Sequence, residues 1–360
     1  MKKTLALALA VVMSLGLLAG CGNSGEKNPG SSGSGSTPNT SASNPGGSSN
    51  PANSIPEAPA GGGTVGVCIY KFDDAFMTTY RNSLEEILEG KGYKVTVVDG
   101  NNDQAKQNEQ INNFITQGVD ALIINPVMTS AADQIITTVK DANIPTVLIN
   151  REPTAEQMAA YDKLVYVGCD ARQSGTMQGE LILDTATGGD INGDGVIKYI
   201  MIQGDPENID AQYRTEFSVK ALEDAGKKVE QLNLTRGDWD RNRGQEIAAN
   251  DLAQFGDQIE VIFCNNDDMA IGALQAIQQA GRKVNEDIYL VGVDALDAAL
   301  NEVQAGNMTG TVLNDAVGQA TAAVAEMEKL LGGATYSSGN QSVYVDYVKV
   351  TPENVSEFMK

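Results

Sequence analysis

The sequence predicts an α/β protein of two doubly wound parallel-sheet domains, and three observations carry that prediction. Short β-branched apolar runs alternate with longer segments of helical period, the pattern of parallel strands joined by crossover helices. Roughly 300 of the 360 residues follow a low-complexity N-terminal stretch, too many for one ordinary core and a comfortable length for two domains. The runs are apolar nearly throughout, as strands covered on both faces should be.

Taken in order, the chain opens with Lys2 and Lys3 and an apolar stretch over 5–18, too short to span a bilayer comfortably. Leu18-Ala19-Gly20-Cys21 closes it and resembles a bacterial lipobox, so residues 1–20 read as a lipoprotein signal peptide and Cys21 as the lipid-bearing residue. Residues 21–63 are almost entirely Gly, Ser, Asn, Pro, Thr and Ala, a composition that cannot bury a core. As a flexible tether its r.m.s. reach is on the order of 35 Å. The expected location is the extracytoplasmic face of the membrane, with the membrane contacted only through the lipid.

Strands are then expected over 65–70, 94–99, 121–125, 145–150, 164–170, 198–203, 228–234, 260–265 and 288–294. Helices are expected over 76–91, 102–117, 129–142, 173–187, 210–225, 242–255, 270–280, 296–305 and 315–331. Cys68, Cys169 and Cys264 sit in apolar runs and read as free thiols packed as small hydrophobes. The formal charge of −22 disfavours nucleic acid and anionic lipid as partners and favours a soluble monomer. The chain has no histidine, which removes the commonest general base and transition-metal ligand and predicts a flat pH response between about pH 6 and 8.

At the carboxyl ends of the expected strands stand Tyr70, Asn125, Asn150, Asp170, Gln203, Asn265-Asn266-Asp267 and Asp294. In open parallel sheets the ligand crevice lies outside those ends. A row of amides and carboxylates there suits hydroxyl groups. Phosphate would call for a glycine-rich turn into a helix, and neither a Walker run nor a GxGxxG fingerprint is present. For any single Asn or Asp in this row a helix cap is the better reading, but the row taken together is harder to explain that way.

Seven stretches carry a close resemblance to the galactose/glucose-binding proteins of bacterial ABC importers: Ile69-Tyr-Lys-Phe-Asp-Asp-Ala-Phe76, Asn102-Asp-Gln-Ala-Lys-Gln-Asn108, Asn150-Arg-Glu-Pro153, Tyr166-Val-Gly-Cys-Asp170, Asn265-Asn-Asp-Asp-Met-Ala270, Gly292-Val-Asp-Ala-Leu296 and Gly310-Thr-Val-Leu-Asn-Asp315. The resemblance implies two lobes, 64–168 with 315–345 and 169–314 with 346–360, joined by a three-stranded hinge and closing on one monosaccharide. It places sugar contacts on Asp74, Asn150, Asp210, Arg214, Asn266 and Asp294, with Phe76 and Trp239 sandwiching the ring and Tyr70 and Asn314 lining further positions. Asn208 stands where the enteric relatives have a histidine. An amide still donates and accepts, so hexose binding should survive with altered fine specificity. The implied partner is an ABC permease; the alternative is a sensing subunit for a chemotaxis or sensor-kinase partner. A glycosidase built on Asp74 and Asp294 is weighed and set aside, since a cleft shaped around a free monosaccharide leaves no room for a leaving group.

The run Asp190-Ile-Asn-Gly-Asp-Gly-Val-Ile197 has oxygen ligands at alternate positions and glycine at the turn, like the first half of a calcium loop. Asp190, Asn192, Asp194 and the carbonyl of Val196 would be completed, by the resemblance, with Glu260. Lys198 stands where that family has an amide ligand. The expectation is a structural calcium ion with Lys198 turned to solvent and a water in place of the amide. The opposite outcome is an inward Lys198 acting as an internal cation.

Overall fold

The computed structural model describes Gly62–Met359. The signal peptide, Cys21 and all but the last two residues of the expected tether lie outside the described residues.

The chain begins β1 (Thr64–Ile69), α1 (Ala75–Gly90), β2 (Lys94–Asp99), α2 (Gln104–Gln117), β3 (Ala121–Ile124), α3 (Ala132–Asp141), β4 (Thr146–Ile149), α4 (Ala155–Met158) and β5 (Leu164–Gly168). It continues α5 (Ala171–Leu183), β6 (Ile197–Gln203), α6 (Ile209–Asp224), β7 (Val229–Arg236), α7 (Arg241–Phe255), β8 (Val261–Cys264), α8 (Asp267–Gln279), β9 (Tyr289–Val291), α9 (Asp297–Gln304) and β10 (Thr311–Leu313). It ends α10 (Ala316–Leu331), β11 (Ser342–Tyr344) and β12 (Val348–Val350).

Two sheets organise these elements. The first is parallel, in the order β11-β5-β4-β3-β1-β2. The second is parallel in the order β7-β6-β8-β9, and single bridges from Val291 to Gly310 and from Asp294 to Leu313 bring β10 alongside β9. β12 then pairs antiparallel with β10. The chain passes between the sheets three times, after β5, after β10 and after β11. Both sheets run to the same cleft with their carboxyl ends.

Alternation along the strands explains why each sheet is covered twice. Val65, Val67 and Ile69 of β1 pack into the core that contains residues of α1 and α10, while Cys68 packs with Leu122, Ile124 and residues of α2 and α3 on the other face. In the second sheet Ile200, Ile202, Ile262 and Cys264 face α7 and α8. Tyr199, Met201 and Phe263 face the core that holds Leu181, Ile182 and Leu222 of α5 and α6. With side chains pointing alternately to opposite faces and both faces buried, a strand must be apolar throughout. The three described cysteines are free and buried in these layers.

Four short elements were absent from the expectation. β10, β11 and β12 are three residues each, too brief to show a period: β11 pairs along the edge of β5, and β10 and β12 pair with each other. α4 is a single turn held by a reciprocal capping box between Thr154 and Gln157. Boundaries also shift. α5 begins at Ala171 and ends at Leu183, where Gly188 and Gly189 turn the chain with φ of 59° and 93°. β9 stops at Val291 instead of running to 294; beyond it Asp294 still bridges Leu313 before the backbone turns away with φ of 121° at Asp294 and 52° at Ala295.

Candidate functional site: a polar cleft between two sheets

The cleft is built from strand ends and helix starts. On the first sheet, Tyr70 follows β1 and Asp74 caps α1, its Oδ1 accepting from the Met77 N–H at 2.8 Å and its Oδ2 from the Tyr70 hydroxyl at 2.5 Å. Phe76 lies in the first turn of α1 and stacks 6.0 Å from Tyr80. Asn150 follows β4 with φ 63°, a conformation an asparagine tolerates better than most residues. Beneath it the fully buried Asn125 donates through Nδ2 to Asn150 Oδ1 and to the Ile149 carbonyl, both at 3.2 Å, and accepts from the Tyr70 N–H at 3.3 Å. Asn125 therefore ties three strand ends together from below the cleft.

On the second sheet three elements converge. Asn208 caps α6 by accepting from the Asp210 N–H at 3.0 Å, and Asp210 and Arg214 follow one turn apart. Asn266 caps α8 by accepting from the Met269 N–H at 3.0 Å, and its Nδ2 donates to the Trp239 carbonyl at 3.4 Å. Asp294 leaves β9, and Asn314 leaves β10 at the crossing to α10. Asn314 donates to Asp294 Oδ1 at 3.1 Å and accepts from Gln319 Nε2 at 2.6 Å.

Arg214 is the electrostatic centre. Its Nη1 donates to the Asn265 carbonyl at 2.8 Å and its Nη2 to the Tyr347 hydroxyl at 3.0 Å, while Nε has no partner. Asp294 and Asp210 lie 3.9 and 4.0 Å from the guanidinium. Burial pushes the Asp210 carboxyl up to about 6, with Arg214 opposing and Glu152 adding to the rise. Burial also carries Asp294 well above the ordinary carboxylate range, again against Arg214. Just behind the cleft, burial pushes Asp267 up to about 7, although its oxygens accept from the Thr311 hydroxyl at 2.6 Å and the Leu296 N–H at 2.9 Å.

Trp239 is presented by a loop held in an unfavourable backbone form, with Asp238 at φ 53° and Trp239 at φ 64°. Arg236 and Arg243 both pair with Asp238, and Arg236 Nη2 lies 3.3 Å from Asp205 Oδ1. A side chain at Gly204 would bring its Cβ within 2.3 Å of the indole, so only glycine lets the ring lie against that turn.

All eleven expected ligand-contact residues line one cavity: Tyr70, Asp74, Phe76, Asn150, Asn208, Asp210, Arg214, Trp239, Asn266, Asp294 and Asn314. Two further residues join them, Met77 and Arg151. Arg151 is the notable addition. It is 2% exposed, sits 4.2 Å over the Tyr70 ring, donates to the Val127 carbonyl and leaves its Nε without a partner. Strand alternation would turn it away from Asn150; the positive φ at Asn150 breaks that alternation. A lone arginine at a strand end beside a cleft amide was the signal available.

The loop over 190–198 lies between α5 and β6. Glu260, 1% exposed, accepts from the N–H groups of Ile191 and Asn192 at 2.8 and 3.0 Å on Oε1 and from the Lys198 N–H at 3.0 Å on Oε2. The expectation that Lys198 turns to solvent is corrected: its Nζ lies 2.5 Å from Asp194 Oδ2 and its side chain is 19% exposed. Alternation on β6 sends Ile197 and Tyr199 to the core and Lys198 to the loop side. Among the described residues no group of three or more acidic or cysteine side chains is arranged to hold a metal ion.

Residues 65–335 match the family described as periplasmic binding protein domain, and the chain belongs to that family. It is 37% identical over 309 residues to the D-galactose/methyl-galactoside binding periplasmic protein of Haemophilus influenzae, covering 82% of this chain and 92% of that relative. It is 34% identical over 297 residues to a putative rhizopine-binding protein of Rhizobium meliloti, with 82% and 92% covered. A solved ABC transporter solute binding protein from Bacillus halodurans with bound myo-inositol superposes with a TM-score of 0.72 at 30% identity, covering 83% of this chain and 98% of that one.

Proposed function

We propose that this protein is the extracytoplasmic receptor of an ABC importer, capturing one monosaccharide, D-galactose or D-glucose, and handing it to the permease. The observation that carries the reading is the cavity lining. Carboxylates, amides and Arg214 from both sheets converge with Phe76 and Trp239, one ring from each side. Carboxylates accept from sugar hydroxyls, amides do both, and guanidinium groups donate to oxygens with only lone pairs. The aromatic faces pack against apolar C–H surfaces. The 37% identical relative named for D-galactose supports a hexose, while the inositol complex shows that this fold also serves other polyols.

Ligand acts by bonding groups of both lobes at once, which favours the closed arrangement over the open one. On this reading the lobes are 64–168 with 315–345 and 169–314 with 346–360, and Cys21 and the tether hold the protein at the membrane surface. On this reading it is a binding protein, in keeping with the periplasmic binding protein family that residues 65–335 match. Calorimetric titration with D-galactose, D-glucose, D-ribose and myo-inositol tests the reading. Saturable one-to-one binding tightest for a hexose is expected; tighter ribose or inositol binding would reassign the substrate, and turnover of aryl glycosides would overturn the class.

A further inference from the structure

We infer that the 190–198 loop is closed by the ammonium of Lys198 in place of a divalent cation. The donors and acceptors of the loop are already matched internally. Asp190 accepts from the Gly193 N–H at 2.8 Å and the Gly195 N–H at 3.0 Å, Asn192 Oδ1 from the Asp194 N–H at 2.8 Å, and Asp194 Oδ1 from the Val196 N–H at 2.9 Å. Glu260 takes three more backbone N–H groups. The remaining Asp194 oxygen meets Lys198 Nζ at 2.5 Å.

A calcium ion needs six to eight oxygens converging on one point. Here the last position of the run contributes a cation instead of an oxygen. An ion entering the loop would meet that ammonium as a like charge at close quarters and would have to displace it from Asp194. The donor set thus does not fit the calcium ion that the run of Asp190, Asn192 and Asp194 invites. The covalently tethered charge serves the same end, holding an acidic turn against β6 without depending on free calcium.

Thermal unfolding of the full chain in chelator and in millimolar calcium chloride tests this. The wild-type midpoint should agree between the two within about 1 °C, because an ion that does not bind the native state cannot shift it. A rise of several degrees with calcium would overturn the inference, and this arm needs no variant. Lys198→Gln restores a neutral oxygen, so its midpoint should fall in chelator and recover by roughly 5 °C when calcium is well above its Kd. Lys198→Gln that is indifferent to calcium would show that the ammonium is not what excludes the ion. Lys198→Met removes the charge without adding a ligand and should lower the midpoint in chelator; an unchanged midpoint would mean the ammonium does not hold the loop.

Discussion

Asp210 is expected to make ligand affinity depend on pH in a chain without histidine. Its carboxyl is 6% exposed and pushed up to about 6 by burial, with Arg214 and Arg151 pulling it down and Glu152 and Asp170 pushing it up. A sugar hydroxyl donating to this group binds the ionised form, so protonation competes with ligand. The apparent affinity then scales as the ionised fraction: close to full at pH 7.5, about half at pH 6 and about a tenth at pH 5. Affinity should therefore fall about tenfold between pH 7.5 and 5, where the absence of histidine alone predicts no change near pH 6. Titration calorimetry at pH 5 in buffers of different ionisation enthalpy reads the same event directly, with nearly one proton released per sugar bound. Asp210→Asn should bind more weakly at pH 7.5 and lose the inflection near 6. An affinity that is flat from pH 5 to 7.5, or an inflection that survives in Asp210→Asn, would refute the reasoning; the second result would move the titration to Asp294.

Three further outcomes are expected. Hexose binding should change the fluorescence of Trp239 saturably, and Trp239→Ala should weaken binding by at least ~1 kcal/mol through lost stacking; an unaltered affinity would take the ring out of the site. Arg151→Met should weaken binding by about 2 kcal/mol if the guanidinium donates to the ligand, as hydrogen bonds from charged groups do, whereas an unchanged calorimetric Kd would leave it only packing on Tyr70. Asp267 is protonated more readily folded than unfolded, so its contribution to stability declines as pH rises from about 4 through 7 and is a full penalty above that, up to about 4 kcal/mol. Asp267→Asn should therefore raise the urea midpoint at pH 8 more than at pH 5, and equal shifts at both would contradict the linkage.

The long strands and helices were legible because a doubly covered strand has no polar face to hide, as β1, β3 and β6 show. The three-residue strands were not, since each is too short to show a period and is defined by its pairing, β11 on β5 and β10 with β12. The cavity residues were legible as a row of polar strand ends, and the resemblance selected among them. Asn125 belonged to the same row yet lies beneath the cavity, a distinction only the tertiary packing draws. Arg151 and the ion pairs around Asp238 were missed for a related reason: both depend on positive φ angles at Asn150, Asp238 and Trp239, which reverse the side-chain alternation a sequence reading assumes.

Helix cap and cavity lining coincide at several positions in the structure. Asp74, Asn208 and Asn266 each cap a helix and also line the cavity, so α1, α6 and α8 all direct their N-termini at it. Their combined dipoles favour negative charge in the cleft, and the protein itself supplies that charge through carboxylates such as Asp74 and Asp210. With the positive ends already answered, and with Arg214 and Arg151 each spending one donor on a backbone carbonyl, an anionic ligand would face the Asp74 and Asp210 carboxylates at close range. A neutral polyol meets no such repulsion and can donate to each of them. The same residues that start the helices are therefore expected to favour an uncharged sugar over its phosphorylated or oxidised counterpart, which competition calorimetry with a sugar phosphate would check.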